Sequence, residues 1–279
     1  MSMSDATVLS EGPHACGVIA FRGPDARVFL QGQLSADIAK LALGSGTLAG
    51  LHNPQGRVIA LIALARSGSE EIFGAFPAEL LEPVAQRLRK YVLRARVRIE
   101  DVSAAVRVVG ASTMEAAVPQ VRWGDRRLSF MSADHVQSGD PADRARWELT
   151  DLREGLPQVY AATSEQFVAQ MLNLDLLGAV AFDKGCYTGQ EVIARAHYRG
   201  RVKRRMQRWL APHGVSLNPG DPAHSKDGRA LCVVRVAAAE AGQEVLAVGN
   251  FLPATEEPAI AREGVELSGP LPLPYSLPE

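Results

Sequence analysis

Residues Lys184-Gly185-Cys186-Tyr187-Thr188-Gly189-Gln190-Glu191 place a cysteine, a lysine two positions before it and two glycines in one short stretch. The chemistry such a group supports is that of a thiolate. Thr188 followed three residues later by Glu191 has the form of a capping box and predicts a helix start. Val192, Ile193 and Ala196 then share one helix face, with Arg195 and Arg199 one turn apart on another. Cys186 lies just ahead of the positive end of that helix, and together with the Lys184 ammonium the dipole favours thiolate over thiol. On this reading Cys186 is a nucleophile or redox-sensitive thiol and Lys184 tunes it. Gly185 and Gly189 let the backbone turn sharply and approach a ligand. The competing reading makes Cys186 a small buried hydrophobe beside a tight turn.

The octet resembles the signature of the YgfZ family, folate-binding proteins related to the glycine-cleavage T-protein and needed for iron-sulfur enzymes. The resemblance continues through Arg195, His197, Tyr198, Arg199, Gly200 and Arg201, and upstream through Asn173-Leu174-Asp175 and Arg153-Glu154-Gly155-Leu156-Pro157. Nearer the amino end it includes Phe29 to Ser35, Asn53 to Arg57 and Lys90 to Asp101. It implies an α+β fold in which ferredoxin-like units and a small carboxy-terminal β-barrel surround a central folate pocket. The cofactor it implies is tetrahydrofolate or a one-carbon derivative. The role it implies is assembly, maintenance or repair of iron-sulfur client enzymes, including radical enzymes that modify tRNA.

The resemblance also suggests site roles. Arg195 and Arg199 suit the glutamyl carboxylates of folate, because a guanidinium pairs well with a carboxylate. Tyr187 stacks on the pterin or fills the core, and Gln190 and Glu191 serve either the ligand or the helix start. The departures from the T-protein pattern carry equal weight. A segment similar to Asn53 to Ile62 holds an acidic residue in T-proteins, where this chain has Ala60 and Leu61. An apolar side chain neither accepts a proton nor stabilises positive charge, so aminomethyl transfer by that route is not expected. Arg153 stands where that pattern places a pterin-binding glutamate, and a guanidinium only donates. An alternative remains a folate-dependent one-carbon transferase or demethylase in which Cys186 replaces the missing carboxylate.

The chain of 279 residues carries three cysteines, Cys16, Cys186 and Cys232, with no close pair. Neither a disulfide framework nor a CxxC metal or redox motif is available, and no metal site is expected. The most apolar stretch, Val58 to Ala65, is too short to span a bilayer, and no leader pattern precedes it, so a cytoplasmic protein is expected. The net charge of -1 hides two basic runs. One holds Arg87, Arg89, Lys90, Arg94, Arg96 and Arg98; the other holds Arg195, Arg199, Arg201, Lys203, Arg204, Arg205 and Arg208. The second run reads as a lining for a carboxylate-bearing ligand, or as an RNA-binding module over residues 195-208 with His197 and Tyr198 stacking on bases.

The elements that must position these residues alternate between strand and helix. Strands are predicted at Gly17 to Arg22, Leu48 to Leu51, Arg57 to Arg66 and around Val97 to Ile99, the middle two joined by the turn Asn53-Pro54-Gln55-Gly56. Helices are predicted over Pro24 to Gln33, Pro77 to Leu93 and Pro141 to Leu152. After Lys203, Leu231 to Val236 and Val245 to Leu252 read as strands of a small barrel or sandwich. The proline-rich tail reads as extended coil. The expected units are 1-100, 101-202 with the signature, and 203-279.

Overall fold

The computed structural model describes residues 6–113, 118–200, 202–240, 242–250 and 263–278. The first part of the chain forms β1 (Thr7–Val8), β2 (Cys16–Arg22), α1 (Ala26–Gln33), β3 (Gly46–His52), β4 (Val58–Arg66), β5 (Glu71–Pro77), α2 (Leu81–Arg89) and β6 (Arg98–Asp101). Five of these strands make an antiparallel sheet in the order β3-β4-β5-β2-β6. Its second strand, β4, is buried from Val58 to Ala65, which explains a continuous apolar run where a half-exposed strand would alternate. The helix expected from Pro77 to Leu93 is shorter. A 3₁₀ turn over Ala78–Leu80 precedes α2, which tolerates Pro83 because its first-turn amides have no intrahelical acceptor.

The second sheet contains β7 (Val106–Ala111), β8 (Gln120–Trp123) and β9 (Arg126–Ser132), in the order β1-β7-β9-β8. Strand β1 therefore pairs with β7, and the start of the chain joins the second sheet rather than the first. Helix α3 (Pro141–Arg153) covers this sheet. It opens with Asp140 accepting from the Ala142 amide at 2.8 Å and with proline at its start. Between α3 and the short helix α4 (Gln190–Tyr198) the chain runs through 3₁₀ turns at Ala161–Thr163 and Ala169–Leu172.

The remaining strands, β10 (Arg204–Leu210), β11 (Pro222–Ser225), β12 (Ala230–Ala239), β13 (Gly242–Asn250) and β14 (Val265–Leu271), close a barrel in the order β10-β13-β12-β11-β14. Period-two alternation divides its strands between two jobs. Trp209, Val233, Val245 and Ala247 fill the barrel, while Met206, Val234, Leu246 and Val248 pack into the core shared with both sheets. The tail departs from expectation. Pro270 lies in β14, at the irregular pairing between Arg208↔Leu271 and Leu210↔Ser268, where a residue without an amide donor is tolerated. Beyond it, the Tyr275 hydroxyl donates to the Gly155 carbonyl at 2.8 Å and tethers the tail to the end of α3. Residues 251 and 252 of the expected strand Val245 to Leu252 lie outside the described residues. No helix among the described residues is long and apolar enough to cross a membrane.

Candidate functional site

The signature forms a loop leading into α4, and it is fixed from both sides. The helix begins at Gln190 with Gly189 as its cap residue, and no side chain caps it, so the expected Thr188–Glu191 capping box does not form. The physical reason is a close backbone approach. Gly189 has φ +83°, and a Cβ there would lie 2.6 Å from the Asn53 carbonyl oxygen and 2.9 Å from Gly56 Cα. Gly56, with φ +72°, faces it from the β3–β4 turn. Two glycines thus let the turn and the signature loop touch through their main chains. Asn53 holds that turn, its Oδ1 accepting from the Gln55 and Arg57 amides at 3.0 Å each. Gly189 therefore approaches protein backbone, whereas Gly185 has open space above it and no positive φ.

Lys184 fixes the other side. Its Nζ donates to the carbonyls of Gln31, Leu34 and Ala36 at 2.7, 2.6 and 2.8 Å, and lies 5.1 Å from the centre of the Tyr187 ring. All three ammonium hydrogens are spent on the end of α1, so Lys184 donates none to Cys186. Burial pushes its ammonium down to about 8, against three acceptors that only the protonated form satisfies. Tyr187 is buried, with its phenol pushed up to about 12 by desolvation, so it packs into the core beside His52 instead of presenting a stacking face. His52 is buried, and burial pushes its imidazole down to about 4, leaving it neutral. Between pinned Lys184 and buried Tyr187, Cys186 is exposed, which removes the reading of a buried hydrophobe.

The other expected ligand residues are dispersed. Arg195 and Glu191 are exposed on α4 and Arg199 is exposed just past its end, while the Gln190 amide makes only a long contact of 3.5 Å to the Lys184 carbonyl. Arg153 is taken by Glu244, whose Oε1 accepts from its Nε and Nη2 at 2.9 and 2.6 Å, joining α3 to the barrel. The Asn173-Leu174-Asp175 motif is structural as well. Asp175 makes a two-pronged pair with buried Arg205 at 2.8 and 2.9 Å, and the Asn173 amide donates to the Met206 carbonyl at 2.9 Å.

A separate cavity of about 30 Å³ lies where the two sheets meet the barrel, with Cys16, Ala63, Trp147, Gln158, Tyr160 and Arg235 in its wall. Asp151, nearly fully buried, is its carboxylate. One oxygen accepts from the Trp123 indole at 2.8 Å and from Arg126 at 2.5 Å, and the other from Arg235 at 2.5 Å. Three donors, two of them cationic, thus occupy both oxygens of this carboxylate. Ala60 and Leu61 on β4 are both buried. Residues 9–14 form a strap whose two ends, Leu9 and His14, line the cavity. Arg144 donates to the carbonyls of Leu9, Glu11, Pro13 and His14, and the His14 ring lies 4.6 Å from Tyr160. The sequence reading missed this region. Its one legible signal was Arg235, a charge inside the apolar strand ALCVVRVAAA, which requires a buried partner.

No family model matches the sequence. The tRNA-modifying protein YgfZ of Edwardsiella ictaluri is 32% identical, with the alignment covering 91% of this chain and 88% of that protein. The protein of the same name from Serratia proteamaculans is 28% identical, covering 94% and 91%. An uncharacterized protein of Haemophilus influenzae is 32% identical over 68% of this chain and 69% of its own length. Among solved structures, the glycine cleavage system aminomethyltransferase T from Bartonella henselae superposes with a TM-score of 0.66 at 13% identity, over 88% of this chain and 78% of that one. The two share a fold.

Proposed function

The chain belongs to the YgfZ family, and from that premise we propose that it is a tetrahydrofolate-binding accessory protein of the cytoplasm that maintains or repairs iron-sulfur enzymes, among them radical tRNA-modifying enzymes. The observation that carries this reading is the exposed Cys186 held between two anchors, half-buried Lys184 with its three carbonyl partners and buried Tyr187. Such a thiol is presented outward at low conformational cost, as suits a group that meets another macromolecule. Gly185 keeps the space beside it open.

The central cavity is the folate site in this proposal. Trp147, Tyr160 and Gln158 in its wall are aromatic and amide groups of the kind that pack against a flat heteroaromatic ring, while Arg144 is held on strap carbonyls and Arg235 on Asp151. At about 30 Å³ the cavity holds roughly one water, so the strap over residues 9–14 must lift to admit the ring. With Asp151 saturated by donors and Ala60 on β4, the residues support binding without supplying the proton acceptor of a one-carbon transferase. Arg195 and Arg199 do not line this cavity, and we assign them no folate contact.

The thiol assignment is tested by Cys186→Ala in cells that lack the native protein. The variant is expected to accumulate and melt like wild type, because the removed atom is exposed, while client iron-sulfur activities fall to those of cells without the protein. Wild-type client activity in that strain would sink the role of the thiol.

A further inference from the structure

We propose that the face at the carboxy-terminal end of α4 binds a single-stranded segment of RNA. Two basic runs look alike in the sequence and differ in the fold. In the first, Arg87 pairs with Glu165, Arg89 with Glu82, Arg96 with Asp25 and Arg98 with Glu100. Only Lys90 and Arg94 remain unpaired there among the described residues. In the second, Arg205 is buried against Asp175 and Arg208 faces Glu244 at 3.8 Å. Arg195, Arg199, Lys203 and Arg204 are exposed and have no ion pair or side-chain hydrogen bond among the described residues. Glu191, one turn before Arg195, makes no ion pair with it; Arg201 lies outside the described residues. Four cations left without partners within ten residues of chain give a local field suited to phosphates, despite a net charge of -1.

Aromatic rings stand among these charges. The His197 ring stacks on Phe182 with centroids 3.7 Å apart and planes 15° from parallel. Tyr198 lies edge-on to His197 at 4.7 Å and is 67% exposed. An exposed aromatic step beside unpaired guanidinium groups is the arrangement on which unstacked bases bind, and bases inside a duplex are not free to use it.

A groove of about 700 Å³ opens beside this step, bounded by Gln170, Leu176, His197, Gly200 and Val202. Gln170 donates from Nε2 to the Ile193 carbonyl at 2.7 Å, while its buried Oε1 has no partner. A hydroxyl reaching that wall would supply the missing donor, and the ribose 2′-hydroxyl is the group RNA has and DNA lacks.

The test is fluorescence anisotropy with a labelled single-stranded RNA of about 12 nucleotides, within the usual site size, and with DNA of the same sequence. Wild type is expected to bind the RNA saturably and more tightly than the DNA, with affinity falling as salt rises. Arg195→Ala with Arg199→Ala should lower the log–log salt slope by about 2. Tyr198→Ala should weaken binding about fivefold or more, and Lys90→Ala with Arg94→Ala should change nothing. All these positions are exposed, and unchanged melting curves confirm intact folding. The proposal is overturned by absence of RNA binding, by equal loss in the Lys90 and Arg94 variant, by equal affinity for DNA, or by displacement of RNA by hexaglutamate at equal concentration. No folate enters this experiment, so its failure leaves the folate reading standing.

Discussion

Asp151→Ala is expected to destabilise the protein by about 3–5 kcal/mol, the cost of leaving buried charge uncompensated. The carboxylate it removes is the common partner of Arg126 on β9, Arg235 on β12 and the Trp123 indole on β8. Alanine leaves buried Arg235 without its anion and Arg126 with only Glu154, 3.4 Å from its Nε. Because a domain's whole stability is typically about 5–15 kcal/mol, the variant should sit near the edge of unfolding in a urea titration. Replacing Asp151, Arg126 and Arg235 together by Leu, Met and Met should recover most of the loss, since the desolvation cost disappears with the charges. A single variant as stable as wild type would mean that water reaches this cluster.

Lys184→Met should cost about 3 kcal/mol, because three carbonyl oxygens at the end of α1 lose their shared donor. It should also loosen the loop that presents Cys186, and client activity should fall although the thiol is intact. Lys184→Arg should rescue little, because a planar guanidinium does not place three hydrogens around one point as an ammonium does. Thermal melting separates this from the simpler view: a lysine that only tunes the thiol would leave the melting temperature unchanged.

What the sequence reveals and what it hides follow from how far apart the interacting residues lie. The hairpin of β3 and β4 was legible because an apolar run, a turn tetrad and a second run are contiguous. The signature octet reads as a loop leading into a helix, yet the sequence could not show that Gly189 rests on Gly56, over a hundred residues earlier. The helix starts where expected, but its capping box does not form for that reason, since the contact fixes Gly189 in a left-handed conformation and leaves Thr188 without a capping role. The same distance hid the strap: Arg144 reaches back to carbonyls near the start of the chain. Charge was the most deceptive property. Arg205 and Arg208 read as members of an open basic surface, but their partners Asp175 and Glu244 come from elements that only folding brings near. Pro270 read as part of an extended coil, and an irregular pairing in the barrel accommodates it within β14.

Anaerobic calorimetric titration with tetrahydrofolate, with tryptophan emission followed in parallel, decides whether the cavity between the sheets binds folate. Trp123 and Trp147 line the proposed site, and Trp209 is buried in the barrel core. The account predicts saturable heat and quenched emission, both unchanged in Cys186→Ala because the thiol lies outside the cavity. Absence of heat, or heat without any change in emission, would contradict a folate site between the sheets.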